Sequence, residues 1–342
     1  MKNNVVCVDY NYSDTYMNLA YEECLLDFAK KESNDDEATI AVATWQNENS
    51  IIIGRNQSAA EECNLQETAA DNVTIARRIT GGGAVYHDLG NLNFTFVVPR
   101  RHYRENTGQI IIEALKMLGV ETVSAGRNDI MVNGSKFSGN AYFSNESVIL
   151  HHGTILISSD LTKMGRYLTP NKIKHKRQTT SSTVAAVANI SSLYPDITVE
   201  RMKKSIFEAF HDYVGSLEGY AVETTERFVP DKHALEEKYN KFKSALWLWK
   251  TPIDPPFCED CFEWGRVAIF FHVNNGIIEA CDIATDSLCL DIWNTIKNLL
   301  SETKFDKVSI LERLSEIECS EIDSEWRQIL QDIKTMISGA KI

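Results

Sequence analysis

Over residues 13–31 apolar side chains return at helical spacing. Met17, Ala20, Tyr21, Cys24, Leu25 and Phe28 define one face, with Ser13 or Asp14 placed to cap it. ATIAVATW (38–45) and SIIIG (50–54) are apolar runs of strand length, whereas 58–71 is polar and helix-like. VTIARRI, GAVYH and NLNFTFVVP read as strands, so Gly81, Gly82 and Gly83 join two β segments. A helix is predicted over 105–118. DIMV and SKFSGNAYF then flank Asn133-Gly134, a pair suited to a two-residue hairpin turn, and Asp129 and Lys136 are expected to face each other across it. His151 and His152 stand in the middle of an apolar strand, 147–158. Neighbouring strand residues point to opposite faces, so the expectation is one buried, hydrogen-bonded histidine and one at the surface. Residues 163–183 are basic and polar and read as a mobile loop, followed by helices at 198–214 and 231–244.

The pattern changes near residue 250. KTPIDPPF is proline-rich and reads as a linker. Beyond it RVAIFFHV and IIEACDIAT form a second hairpin around Gly276, followed by amphipathic segments at 286–300 and 322–337. The chain is therefore read as an α/β (α+β) domain, residues 1–253, and a small α+β domain, residues 254–342.

Composition removes several classes. A net charge of −13 over 342 residues disfavours nucleic acid as a partner. No stretch approaches the ~20 apolar residues of a membrane span. The N-terminal apolar run is interrupted at Asp9, which is unlike a signal peptide. Eight scattered cysteines suit reduced thiols in a cytoplasm. Cys258 and Cys261 have C-x-x-C spacing, which raises zinc or redox chemistry, with His272, Cys281 and Cys289 as further ligands of no recognised spacing.

Three adjacent glycines exceed what one tight turn needs, since each adds backbone entropy to be lost on folding. The pattern is neither G-x-x-x-x-G-K-[ST] nor a G-x-G-x-x-G opening a helix. Two readings stay open: a turn needing positive φ with Arg77 and Arg78 on a solvated face, and a strand–glycine–strand loop whose bare backbone lies against a ligand, with the two arginines supplying charge for a carboxylate or phosphate.

NLAYEE (18–23), WQN (45–47), IIIGRNQ (51–57), ECN (62–64), ARRITGGGAVYHDLGN (76–91), GRNDI (126–130), KFSGNAY (136–142) and HHGTILIS (151–158) together resemble the lipoate–protein ligase A family, within the biotin/lipoate ligases. FEWGRV and FHVNNGII extend the resemblance into the second domain. It implies a biotin/lipoate ligase-like catalytic domain with a C-terminal accessory domain. It also implies the reaction of ATP with lipoate to give lipoyl-AMP and pyrophosphate, then transfer to a lysine. The implied acceptors are lipoyl domains of 2-oxoacid dehydrogenase complexes and the glycine cleavage system H protein, served by a cytoplasmic monomer with no membrane or nucleic-acid partner. The resemblance gives Lys136 the catalytic role. Arg78, Gly83, Ala84, Val85, Tyr86, Asn91, Asp129 and Lys136 become the ATP and adenylate contacts, and Asp129 also the Mg2+ contact. Trp45, Arg78, Gly81, Gly82, His87, Lys136 and His152 become the lipoate contacts. Phe143, where relatives carry polar or basic residues, and Pro252, where they carry glycine, depart from the family pattern.

Related chemistries differ at identifiable residues. A cysteine-dependent octanoyl or lipoyl transferase needs a core thiol, and no cysteine lies between Cys63 and Cys258. RRITGGG is not the G-R-G-R-x-G loop of a biotin ligase. A transferase restricted to preformed lipoyl-nucleotide would keep every motif. A non-catalytic lipoate binder would not need Lys136 and Asp129.

Overall fold

The computed structural model describes residues 4–31, 38–100, 107–121, 123–125, 129–145, 147–168, 187–217, 228–249, 256–285, 287, 290–317 and 324–340. The chain divides into two compact units, Met1–Thr251 and Pro252–Ile342. In chain order the first begins β1 (Asn4–Asp9), α1 (Thr15–Lys31), β2 (Thr39–Trp45), β3 (Ser50–Ile53), α2 (Ala59–Glu62), α3 (Leu65–Ala70), β4 (Thr74–Arg77), β5 (Val85–His87) and β6 (Asn91–Pro99). It continues α4 (Gly108–Met117), β7 (Val123–Ala125), β8 (Asp129–Val132), β9 (Ser135–Ser144), β10 (Val148–Leu156), α5 (Leu161–Tyr167), α6 (Val199–Gly215), α7 (Lys232–Lys243) and α8 (Ala245–Leu248).

A seven-stranded sheet in the order β1-β2-β6-β10-β9-β8-β7 carries the first unit, and β4-β3-β5 form a second, three-stranded sheet. Every residue of β2 and β6 is buried, because both faces of the large sheet are covered. On one face Leu19, Ala20 and Leu25 of α1 share a core with Ala41, Ala43, Val97 and Leu150, and Ile52 and Ala76 of the small sheet join them. On the other, Phe96 stacks on Phe210 of α6, and α4 packs against α6. Asp14 caps α1 by accepting from the Tyr16 N–H, and Thr198 caps α6 through Arg201.

This double cover overturns the expectation for the histidine pair. His151 and His152 do point to opposite faces, but both are buried. On the α4/α6 side, His151 Nδ1 lies 2.7 Å from Thr107 Oγ1 and Nε2 lies 2.9 Å from Asn140 Oδ1, with Tyr142 stacked 4.2 Å away. The expected basic loop is corrected in part as well. Lys163 and Arg166 lie on α5, whose first turn Asp160 caps; residues 169–186 lie outside the described residues.

Asn133 and Gly134 turn β8 into β9, both at positive φ (48° and 78°) as a type I′ turn requires. The register corrects the predicted facing pair. Lys136 pairs with Met131 and Asp129 with Gly139, and a bulge between them absorbs Phe137.

In the second unit β11 (Cys258–Phe262), β12 (Gly265–Asn274) and β13 (Ile277–Thr285) form an antiparallel sheet. The hairpin turns at Asn275 and Gly276, again both at positive φ. Three helices, α9 (Leu290–Leu300), α10 (Lys307–Ser315) and α11 (Ser324–Gly339), follow. Trp264, Ile269, Trp293, Ile310 and Ile333 fill the core of this unit. Cys258 and Cys261 lie on β11 at odd spacing, so their side chains leave opposite faces and do not converge on one metal. Burial also pushes the Cys258 thiol up to about 12.

Candidate active site

One row of paired residues crosses five strands: Trp45 on β2, Asn93 on β6, Thr154 on β10, Gly139 on β9 and Asp129 on β8. Directly paired residues share a face, so Trp45, Asn93, Thr154 and Gly139 form a single floor on the α1 side of the sheet. The adjacent row carries Thr95, His152 and Ala141 on the same face.

The bulge brings Lys136 to this floor. In an unbroken strand, residues 136 and 139 would point to opposite sides. With the extra residue, Lys136 is returned to the face of Gly139. A Cβ at Gly139 would stand 3.3 Å from Cε and 3.4 Å from Nζ of Lys136, and 3.8 Å from Thr154 Oγ1. Glycine at 139 thus leaves the space that the ammonium occupies.

The glycine loop runs above this floor between β4 and β5, which flank β3. Gly82 has φ 90°, and a Cβ there would stand 2.8 Å from the Arg78 guanidinium and 4.0 Å from Ala141 Cβ. A Cβ on Gly54 would lie 2.1 Å from Gly82 O, so the 54 and 82 backbones are in direct contact. Part of the glycine requirement is therefore internal packing. Gly83 is different: a Cβ there meets nothing within 4 Å.

Arg78 braces the loop from below. Nε donates to Thr80 Oγ1 and Gly81 O, Nη2 to Gly81 O (2.6 Å) and Gly83 O (2.8 Å), and Nη1 to Ile52 O. Burial lowers Arg78 to about 10, partly offset by the Glu22 carboxylate, so it stays cationic at neutral pH. Arg77, read from sequence as a second charge for a ligand, is 1% exposed and donates to five carbonyls, those of Gly54, Arg55, Gln57, Trp247 and Leu248. It caps the C-terminus of α8 and stays away from the floor.

A buried polar chain connects the two layers. Trp45 Nε1–H donates to Thr95 Oγ1 (3.1 Å), and the Thr95 hydroxyl donates to Glu22 Oε1 (2.5 Å). Glu22 accepts from His152 Nδ1–H at 2.8 Å, and His152 Nε2 meets Thr80 Oγ1 at 2.8 Å. Thr80 returns the chain to Arg78. Helical spacing sets Glu22 apart from the Met17–Phe28 stripe; only the packing of α1 on the sheet, which buries it beside Leu19, Leu25, Leu26 and Ala29, reveals its role.

Along β5 the side chains alternate. Val85 packs into the core shared with α1, and the His87 ring stands 6.5 Å from Trp45, edge to face. Ala84 and Tyr86 pack on the other side with Ile51 and Tyr167, and the Tyr86 hydroxyl bonds Asn49. Only the backbone of Tyr86 is left for the floor side. Burial, with the nearby Arg78 and His152, holds His87 down to about 3, so it is neutral. Its Nδ1 is met by Asn47 Nδ2 at 3.1 Å.

Asn91 is buried and donates to Asn93 Oδ1, which leaves Asn91 Oδ1 and Asn93 Nδ2 buried with no partner among the described residues. Asn93 was not anticipated, although N-x-N after the glycine segment carried the signal. Asp129 is fixed in register beside Gly139, while residues 126–128 of the GRND motif lie outside the described residues.

Residues 14–211 match the lipoyl protein ligase A/B catalytic domain, and 259–337 match the bacterial lipoate protein ligase C-terminus. The lipoate-protein ligase A of Psychrobacter cryohalolentis is 34% identical over 92% of this chain and 95% of its own. That of Bdellovibrio bacteriovorus is 38% identical over 80% of each. Among solved structures, P. falciparum LipL1 in complex with lipoate is 30% identical, covers 97% of this chain and 99% of its own, and superposes with a TM-score of 0.73.

Proposed function

The chain belongs to the lipoate–protein ligase A family, and from that premise we propose that it is an ATP-dependent ligase working through lipoyl-AMP. The observation that carries the reading is the convergence of Lys136, the Trp45–Asn93–Thr154–Gly139 row and the Arg78-braced glycine loop on one face of the sheet. Activation joins two anions, a carboxylate and an α-phosphate, and needs a fixed cation between them. Lys136 supplies it. A carboxylate oxygen attacks the α-phosphorus and pyrophosphate leaves. In the second half-reaction the acceptor lysine amine attacks the acyl carbonyl, AMP leaves with the former carboxylate oxygen, and the amine loses its proton. Lys136 stabilises the oxygens that gain charge in both steps.

The backbone of Gly83, Ala84, Val85 and Tyr86 would line the nucleotide, with Asn91 and Asn93 offering an acceptor and a donor. Trp45, His87, His152, Gly81 and Gly82 would wall the acyl chain. Arg78 acts by holding the loop carbonyls. The register of Asp129 beside Gly139 fits a magnesium ion held largely by substrate phosphates, which asks the protein for only one or two carboxylates. Such an ion would neutralise phosphate charge during attack.

The first unit would carry catalysis and the second serve as accessory domain. Acceptors would be lipoyl domains and the glycine cleavage H protein, met by a monomer in a reducing cytoplasm. Cys24 and Cys63 are pushed up by burial to about 11 and about 12, which supports direct transfer over an acyl-thioester route.

The test is pyrophosphate release dependent on both ATP and lipoate, followed by lipoylation of a purified lipoyl domain and of H protein. A transferase restricted to preformed lipoyl-AMP would modify the acceptor from lipoyl-AMP and release no pyrophosphate from ATP.

A further inference from the structure

Asn18, Asn47 and His87 form a buried relay; none is more than 3% exposed. Its orientation can be read from the backbone outward. The Tyr12 N–H can only donate, and it meets Asn18 Oδ1 at 3.0 Å. That fixes Asn18 Nδ2 toward the carbonyls of Tyr12 and Gln46 and toward Asn47 Oδ1, at 3.0, 2.8 and 2.8 Å. Asn47 Oδ1 is thereby the acceptor, so its Nδ2 is the group that faces His87 Nδ1. An amide N–H can only donate, and Nδ1 must accept. The proton of the neutral ring is then on Nε2, which is buried with no partner among the described residues.

We infer that Asn47 is a positioning residue: it holds His87 in the Nε2–H form, so that a neutral donor is kept for an oxygen at the carboxyl end of the acyl substrate. This rests on the ligase reading for the identity of the ligand. The carboxyl end is chosen because His87 stands among Arg78, His152 and the edge of Trp45, the polar part of the wall. A buried donor with no partner among the described residues favours a ligand that accepts from it over a wholly apolar one. A carboxylate in the orienting position selects the opposite tautomer, as in hydrolase triads, where aspartate holds Nδ1–H and exposes the Nε2 lone pair. Asn47 is the inverse device.

The experiment is Asn47→Asp, with nitrogen-15 NMR of the histidine rings at pH 8 and calorimetric titration of lipoate, octanoate and ATP. Wild-type His87 should show the Nε2–H pattern and the variant the Nδ1–H pattern. Affinity for lipoate and octanoate should fall equally, by about tenfold, the scale of one buried hydrogen bond lost, while ATP affinity holds. Asn47→Leu serves if the aspartate variant unfolds, since Asn18 keeps two acceptors for its two hydrogens. It should abolish the single fixed tautomer and weaken both acids, and it should add nothing in a His87→Gln background. A wild-type Nδ1–H pattern overturns the inference. So does unchanged acid affinity once the tautomer is lost, a loss confined to lipoate, or an additive effect in the His87→Gln background. If wild type bound neither acid and released no pyrophosphate, the ligase reading would fall, while the NMR arm would still decide whether Asn47 sets the tautomer.

Discussion

Glu22 of α1 and His152 of β10, both buried, meet through a 2.8 Å hydrogen bond between Oε1 and Nδ1, across 130 residues of chain. The carboxylate also supports the buried charge of Arg78. Removing it leaves a guanidinium in the interior with less compensation, and frees the hydroxyl of Thr95 and a nitrogen of His152 at once. Glu22→Ala should cost about 3–5 kcal/mol, the range for breaking a buried charged pair. Glu22→Gln, which keeps an acceptor of the same shape, should cost about 1–3 kcal/mol. Urea unfolding measures both; a wild-type midpoint for Glu22→Ala would show that Arg78 needs no counter-charge.

The glycines separate by what surrounds them. Gly153→Ala would drive a Cβ to 2.5 Å from Phe94 and 2.8 Å from Gly139 O, and Gly82→Ala combines positive φ with the Arg78 guanidinium. Both should lose stability, so poor activity in either would say little about ligand contact. Gly83→Ala meets open space, and Gly139→Ala presses on the flexible end of Lys136, with Thr154 Oγ1 at ordinary contact distance. These two should keep melting temperatures within a few degrees, for changes of up to about 1 kcal/mol. Both should lower pyrophosphate release, Gly139→Ala by moving the ammonium. Full activity in Gly83→Ala would mean that no ligand backs onto that residue.

The buried amide of Asn93 supplies a contrast between stability and function. Its Nδ2 has no partner among the described residues, so Asn93→Leu removes one unsatisfied donor, but it also removes the Oδ1 that accepts from Asn91 and so orphans the Asn91 amide in its place. Stability should stay within about 1 kcal/mol of wild type, while turnover falls. A parallel loss of both would make Asn93 a purely structural residue.

Sequence patterns exposed what is local. Helical spacing located α1, α4 and α6, and Asn-Gly marked both hairpin turns, because spacing and positive φ are properties of a few neighbouring residues. What depends on distant partners was hidden. Nothing between Asp129 and Lys136 announces a bulge, yet Phe137 decides which face receives the lysine. Arg77 and Arg78 look equivalent as text, and only the carbonyls of α8 and of the glycine loop tell them apart. Histidine alternation predicted opposite faces correctly and burial wrongly, because the second cover over the sheet comes from α4 and α6, far along the chain. The spacing of Cys258 and Cys261 suggests convergence only until β11 is seen to be a strand.

Two histidines set an acid limit on the fold. Burial holds His87 to about 3 and His151 well below its ordinary value. In the unfolded chain both titrate near ~6.5. Below that pH the unfolded state binds more protons, so stability falls as pH drops from about 6.5 toward the folded value of His87, and these groups contribute no slope above it. Each adds up to about 1.4 kcal/mol per pH unit. Urea midpoints at pH 7.5, 6 and 5 for wild type and His87→Gln isolate one histidine's share, since the carboxylates are common to both. Parallel curves would mean that His87 titrates normally in the folded protein.

Lys136 is where the proposed chemistry is most exposed to test. Its ammonium is brought over Gly139 by the bulge and stands in the row that runs from Trp45 to Asp129. Lys136→Ala should suppress both adenylate formation and acyl transfer from preformed lipoyl-AMP, because one charge serves both transition states. The loss should be roughly 10²–10³ in rate, the scale for deleting one preorganised donor in a dry site. Lys136→Arg keeps the charge but spreads it over a planar group too large for the space over Gly139, so it should recover only part. Rates compared at saturating ATP and lipoate separate chemistry from binding. A variant that loses adenylation alone would limit Lys136 to the first step. Near-normal turnover in both steps would remove it from the chemistry altogether.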